Sequence, residues 1–196
     1  MKKIALFFPG IGYTAERPLL YYARKIAAAA GFETYSVNYG AFPEGAKDSA
    51  EKMQQAFEHA LSQAEGQLAG AGISGGETVL CVSKSIGTPV AAAYTARHGL
   101  NAQHIYYTPI EKLFDFPVQE GIVFHGSGDP WMQTALLSAR CAAEGLPLTV
   151  IPGANHSLET GNAAADIAIL ADVMRKTADY VGRIGAALPG SSQSGR

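Results

Sequence analysis

Six short runs rich in β-branched or aromatic residues recur along this chain, each followed by a longer amphipathic or alanine-rich stretch, and that alternation limits the fold most. The runs are Lys3–Phe8, Thr34–Asn38, Thr78–Val82, His104–Tyr107, Gly121–His125 and Leu148–Ile151. Strands buried on both faces read as near-continuous apolar runs, and a parallel neighbour requires a crossover of a dozen or more residues. Helices are predicted over Pro18–Ala30, Ala46–Leu68, Ile86–His98, Gln133–Glu144 and Ala165–Ile184. Pro18 suits a first helical turn, and Gly31, Gly99 and Gly145 suit C-caps. The expectation is an α/β fold: a three-layer α/β/α sandwich around a parallel sheet of about six strands.

With 196 residues, 47% of them hydrophobic, the chain can bury one sizeable core but not two. A single domain is expected over 1–184, followed by a disordered tail over 185–196, where Pro189-Gly190-Ser191-Ser192 offers little to pack. Gly66–Gly76 reads as a flexible loop. Between the fourth and fifth strands Thr108–Glu120 has only 13 residues with two prolines, too few for a full crossover helix.

A net charge of −2 provides no broad basic field for nucleic acid or an anionic membrane, which points to a small-molecule partner. Nothing in the sequence specifies an oligomeric state. Cys81 and Cys141 lack CxxC or Cys/His spacing and are read as reduced core thiols, and no metal or organic cofactor is implied. The apolar run Ile4–Phe8 stops at Pro9-Gly10, short of a signal peptide's apolar region of roughly 7–15 residues, and no stretch reaches the roughly 18 apolar residues of a membrane span. A cytoplasmic protein is expected.

The chemistry concentrates at the carboxyl ends of three strands. After the third run, Ser83-Lys84-Ser85-Ile86-Gly87 makes a sharp small-residue turn into an alanine-rich helix. A serine there is pushed out above the sheet edge, and the following N–H, from Ile86, faces the same spot from a helix N-terminus, where a developing oxyanion is stabilised. The plain alternative is that Ser85 merely caps the helix. Against it stand Gly128-Asp129-Pro130 after the fifth run and Gly153-Ala154-Asn155-His156-Ser157 after the sixth. Ser85, Asp129 and His156 thus follow one another as nucleophile, acid and base on strand ends that share one sheet edge. Glu111 is the rival acid and Asp115 a weaker one, while Asp129 by itself could be a turn residue before Pro130. His59, His98, His104 and His125 are given no catalytic role, although His125 ends its strand close to the acid loop. Lys84 is read as a solvated or anchoring residue of the turn, or as a site of attraction for an acidic substrate group. Tyr13, Tyr39, Tyr107 and Trp131 are read chiefly as packing residues that could line the mouth.

These motifs, with Ala5-Leu6-Phe7-Phe8-Pro9-Gly10-Ile11-Gly12, resemble the α/β-hydrolase superfamily, specifically its compact members without a cap, over the chain up to about Gly182. Ser83 stands where the family usually has glycine, and Pro9 where histidine is commoner before Gly10. The resemblance implies a minimal α/β-hydrolase fold lacking the first two strands of larger members. It also implies a second oxyanion-hole N–H from Ile11, with Gly12 the nearest alternative. The cap of larger members would be inserted where this chain has only Thr108–Glu120, so an open, shallow site without a lid is implied. The activity implied is cleavage of esters or thioesters of small, short-acyl substrates through an acyl-enzyme.

Two rival readings come from other classes. Gly10-Ile11-Gly12-Tyr13-Thr14-Ala15 formally matches a dinucleotide-binding turn, but the second run ends in Asn38-Tyr39-Gly40 without the acid that holds a ribose, and Pro18 starts the helix late. Gly70-Ala71-Gly72-Ile73-Ser74-Gly75 precedes a strand instead of following one, and is read as loop composition. The other rival is a hydrolase-fold binding protein without activity, since a fold does not fix a function.

Overall fold

The computed structural model describes residues 2–42, 44–46, 49–73 and 75–186. Six parallel strands form one sheet in the order β2-β1-β3-β4-β5-β6. They are β1 (Lys3–Phe8), β2 (Glu33–Ser36), β3 (Thr78–Lys84), β4 (Ala102–Tyr107), β5 (Gly121–Gly126) and β6 (Leu148–Ile151). Between and after them lie α1 (Pro18–Ala29), α2 (Ala50–Leu68), α3 (Gly87–Arg97), α4 (Thr134–Ala143) and α5 (Ala163–Ala186).

The two-residue period of the strands sorts the core into two sides. Ile4, Leu6, Phe8, Val79 and Cys81 pack with residues of α2 and α3. Their neighbours Ala5, Phe7, Leu80 and Val82 face the opposite layer, with Leu19, Leu20, Val173 and Val181 of α1 and α5. Tyr106 and Val123 complete the first side with Leu137 and Cys141 of α4. Each fully buried aliphatic or aromatic side chain contributes about 1.5–3 kcal/mol relative to exposure, which is why the strands tolerate so few polar positions.

The three-layer α/β/α sandwich matches the expectation, with shifts at element ends that have local causes. The predicted Ala46 start of α2 moves to Ala50, because the Ser49 hydroxyl accepts from the Lys52 N–H and caps the helix there. Gly66 falls inside α2, so the predicted loop begins only after Leu68. The start of α5 moves from Ala165 to Ala163, where the Asn162 side chain accepts from the N–H groups of Ala164 and Ala165. At its other end α5 runs through Ala186, two residues into the predicted tail, and 187–196 lie outside the described residues. Gly31, at φ 84°, closes α1 with a Phe32 N–H to Ala27 carbonyl bond of 3.0 Å, and Leu100 and Leu146 close α3 and α4 the same way. Thr108–Glu120 holds only a short 3₁₀ turn, Glu111–Asp115, and no crossover helix.

From β1 the chain leaves toward β2 on one side, and it returns to β3 on the other. Such a reversal opens a crevice above the carboxyl ends of the two strands, where open α/β sheets bind ligands. Gly10 and Ser85 lie there.

Candidate active site

Ser85 follows β3 at φ 56°, in the left-handed region that side-chain-bearing residues rarely occupy. Holding it there costs about 1–3 kcal/mol, offset by bonds on both sides. The Ser85 N–H donates to the Tyr107 carbonyl at 3.1 Å, while the Thr88 N–H and hydroxyl donate to the Ser85 carbonyl at 2.9 and 2.7 Å. Gly87 makes the turn sterically feasible: a Cβ there would lie 2.1 Å from the Phe8 carbonyl oxygen. At the position where glycine was the common choice, the buried Ser83 hydroxyl donates to the Ile105 carbonyl at 3.3 Å. The helix-cap reading of Ser85 does not hold, since α3 has Ile86 at its N-cap and no side-chain cap bond.

Two loops on the β5 and β6 side complete the site, and glycines let them interlock. A Cβ on Gly126 would lie 2.2 Å from the Ala154 carbonyl oxygen. The Gly128 N–H donates to that carbonyl at 2.9 Å, and the Gly153 N–H donates to the Ser127 hydroxyl at 2.7 Å. His156 sits in a turn that Asn155 braces, its side-chain oxygen accepting from Ser157 N–H at 2.7 Å and Glu159 N–H at 3.2 Å.

Across the crevice, His156 Nε2 lies 2.8 Å from Ser85 Oγ, and His156 Nδ1 lies 2.7 Å from Asp129 Oδ2. The Asp129 side chain is fully buried, and its other oxygen accepts from the Trp131 N–H at 2.9 Å. With the carboxylate as acceptor at Nδ1, Nε2 is the imidazole nitrogen that faces the Ser85 hydroxyl as its acceptor. Among the described residues Glu111 has no bond to His156; it is exposed at the head of the 3₁₀ turn, and Asp115 pairs with Lys112 at 3.2 Å.

The β1 loop closes the other flank. A Cβ on Gly10 would lie 3.1 Å from Ser85 Cβ, so this loop packs directly on the serine. Reciprocal backbone bonds of 3.0 and 3.2 Å between Gly10 and Tyr13 put Ile11 and Gly12 at the tip of a tight turn. Among the described residues the N–H groups of Ile11 and Ile86 have no acceptor, which leaves both available to a ligand. This turn also argues against dinucleotide binding: the start of α1 is occupied, with the Leu19 N–H donating to the Tyr13 hydroxyl at 3.0 Å.

Lys84 is not the solvated residue considered from the sequence. It is 2% exposed, with Nζ 4.7 Å from the centre of the Tyr13 ring. Tyr39 and Tyr107 are core residues, whereas Trp131 is 39% exposed and its ring lies 6.3 Å from that of His156. The fully buried His125 went unassigned on the sequence. Its Nε2 lies 3.0 Å from the Thr134 hydroxyl and its Nδ1 3.8 Å from Asp129 Oδ2. Burial holds it below the usual histidine range, the Asp129 charge opposing, so His125 presents a neutral ring to the acid. Among the described residues no group of three or more His, Cys, Asp or Glu side chains is placed to hold a metal ion, and no helix is long and apolar enough to cross a membrane.

No family model matches the sequence, and no curated protein matches it. Solved structures do match. A candidate hydrolase of the alpha/beta superfamily from Xanthomonas campestris pv. campestris superposes with a TM-score of 0.68 at 13% identity, over 93% of this chain and 99% of that one. A candidate alpha/beta hydrolase from Agrobacterium tumefaciens gives 0.69 at 18% identity, over 97% and 89%. An α/β serine hydrolase without a lid, from Xanthomonas campestris, gives 0.61 at 14% identity, over 96% and 83%. The chain therefore has the α/β-hydrolase fold, in a form similar to a member that has no lid.

Proposed function

We propose that this α/β-hydrolase-fold chain is a serine hydrolase cleaving ester or thioester bonds of small substrates through an acyl-enzyme. The observation that carries this reading is the unbroken line of hydrogen bonds from Ser85 through His156 to buried Asp129. A serine hydroxyl is a weak nucleophile until a base within about 3 Å removes its proton, and a base serves best when a third group fixes its tautomer.

In the forward half-reaction His156 Nε2 takes the Ser85 proton as Oγ bonds to the carbonyl carbon. Asp129 stabilises the imidazolium that forms. The carbonyl oxygen becomes an oxyanion, held by the N–H groups of Ile86 and Ile11, a kind of contact worth roughly 10²–10³ in turnover for a single donor. His156 then gives its proton to the leaving oxygen or sulfur, the bond to carbon breaks, and the acyl group stays on Ser85. Water, deprotonated by the same His156, releases the acid and restores the serine. The mechanism calls on no metal or organic cofactor.

Turnover of p-nitrophenyl acetate tests the reading. Wild type should hydrolyse it well above the buffer rate, and Ser85→Ala should lose at least about 10⁴-fold in kcat/KM. Equal rates in the two proteins would refute it.

A further inference from the structure

A groove of about 390 Å³ lies between the loops after β1 and β6 and the N-terminal ends of α1 and α5. Tyr13, Leu19, Leu158, Ile167 and Leu170 supply its apolar walls. We propose that it binds a straight hydrocarbon segment of the substrate, either the acyl chain or the alkyl leaving group of the ester cleaved at Ser85. The inference rests on the hydrolase reading and gives it a substrate class.

Continuity with the reaction centre is the first argument. Ser157 and Leu158, on one wall, directly follow His156, whose Nε2 is 2.8 Å from Ser85 Oγ. Tyr13, on the facing wall, is bonded to Gly10, the residue that packs on Ser85. The groove's lining thus begins one residue after the base and is hydrogen-bonded to the loop that packs on the serine, which makes it the apolar surface offered to a chain leaving the carbonyl carbon between the two loops.

The walls are also fixed. The Tyr13 hydroxyl accepts from Leu19 N–H at 3.0 Å, and the Lys84 ammonium lies 4.7 Å from the ring centre. Leu158 is buried at φ 60°, a strained conformation for a bulky side chain, held by a 3.0 Å bond from its N–H to the Asn155 carbonyl. Strain of this kind persists where the surrounding structure over-determines a position, and it clusters at ligand sites.

Charge and exposure select the occupant. Among the described residues no Lys, Arg or His lines the groove, whereas Glu159 and Asp166 do. Bonds from the Thr160 N–H and hydroxyl hold the Asp166 carboxyl below the usual carboxylate range, so it stays ionised. An anionic tail is repelled and a neutral hydrocarbon is not. Ile167, 70% exposed, leaves a branched apolar side chain in water that such a chain would cover. The open site read from the sequence suggested short acyl groups; this groove extends the range to longer ones.

The test is a chain-length series in two arms: p-nitrophenyl esters from acetyl to decanoyl, and alkyl acetates from methyl to decyl. In one arm, identifying the segment bound, kcat/KM should rise about threefold per methylene, carried by KM, until the groove is full. Ile167→Glu and Ala163→Trp should cut that slope by at least half, while Tyr22→Ser, exposed on α1 outside the groove, should keep it. Flat slopes in both arms, with acetate esters still turned over, would overturn the groove and leave the hydrolase reading standing. Calorimetric binding of decanol to Ser85→Ala protein reads the groove without turnover. Binding weakened at least fivefold by adding Ile167→Glu supports the proposal, and binding unaffected by that change contradicts it even if no ester is ever cleaved.

Discussion

Gly87 stands so close to the end of β1 that any Cβ would lie 2.1 Å from the Phe8 carbonyl oxygen and 2.5 Å from that of Pro9. The missing side chain brings the serine turn against the loop that carries Ile11, uniting nucleophile and proposed oxyanion donors. Gly87→Ala should accordingly cost about 3 kcal/mol or more in urea unfolding, since the contact is with backbone that cannot step aside. Gly66→Ala, on the exposed face of α2 with open space around it, should instead stabilise by up to about 1 kcal/mol. Equal effects at the two positions would contradict the packing argument.

The left-handed Ser85 predicts a trade between stability and function. Ser85→Gly relieves the backbone at φ 56° and should raise stability by about 1 kcal/mol while abolishing ester turnover. A stability unchanged or lowered in thermal unfolding would show that the serine side chain adds more than its conformation costs.

Buried Asp129 should be separable from exposed Glu111 by kinetics. Asp129→Asn keeps the shape but presents the wrong hydrogen-bonding pattern to His156 Nδ1, and kcat should fall about 10⁴-fold. Glu111→Gln should stay within about twofold of wild type. A reversal of the two would transfer the role of the acid to Glu111.

His104 predicts an acid-sensitive core. It is fully buried, stacked on Tyr106 at 4.9 Å, with neither ring nitrogen hydrogen-bonded among the described residues, and burial pushes its pKa down to about 3. In the unfolded chain it protonates near 6.5, so between those values unfolding takes up a proton. Stability is then fully present above about pH 6.5 and declines as the pH falls toward 3, by up to about 1.4 kcal/mol per unit. Replacement by Phe should flatten that slope in urea titrations between pH 6.5 and 4. An unaltered slope would mean that His104 titrates normally.

Much of this was legible in the sequence because parallel strands are buried on both faces and announce themselves as apolar runs, while their carboxyl ends are where polar residues can converge. Ser85, Asp129 and His156 could be paired from their places after three such runs. The groove could not, because Tyr13, Leu158 and Ile167 are ordinary apolar residues until the β1 loop, the β6 loop and α5 are brought together. For Lys84 the sequence left a solvated and an anchoring reading side by side, because a charged residue at a turn is usually solvated; its burial, with the Tyr13 ring packed against it, favours the anchor. His125 carried a weak signal, four residues ahead of Asp129, but its place behind the acid depends on how the β5 loop turns back. The start of α2 was misplaced at Ala46, although Ser49, whose hydroxyl caps the helix, carried the signal.

Intact-mass labelling with a fluorophosphonate tests the central claim most directly, since these reagents react with a serine only when a neighbouring base activates it. The account predicts stoichiometric addition of one probe to wild type and none to Ser85→Ala. A folded wild type that takes up no probe, or a Ser85→Ala protein labelled as readily as wild type, would contradict it.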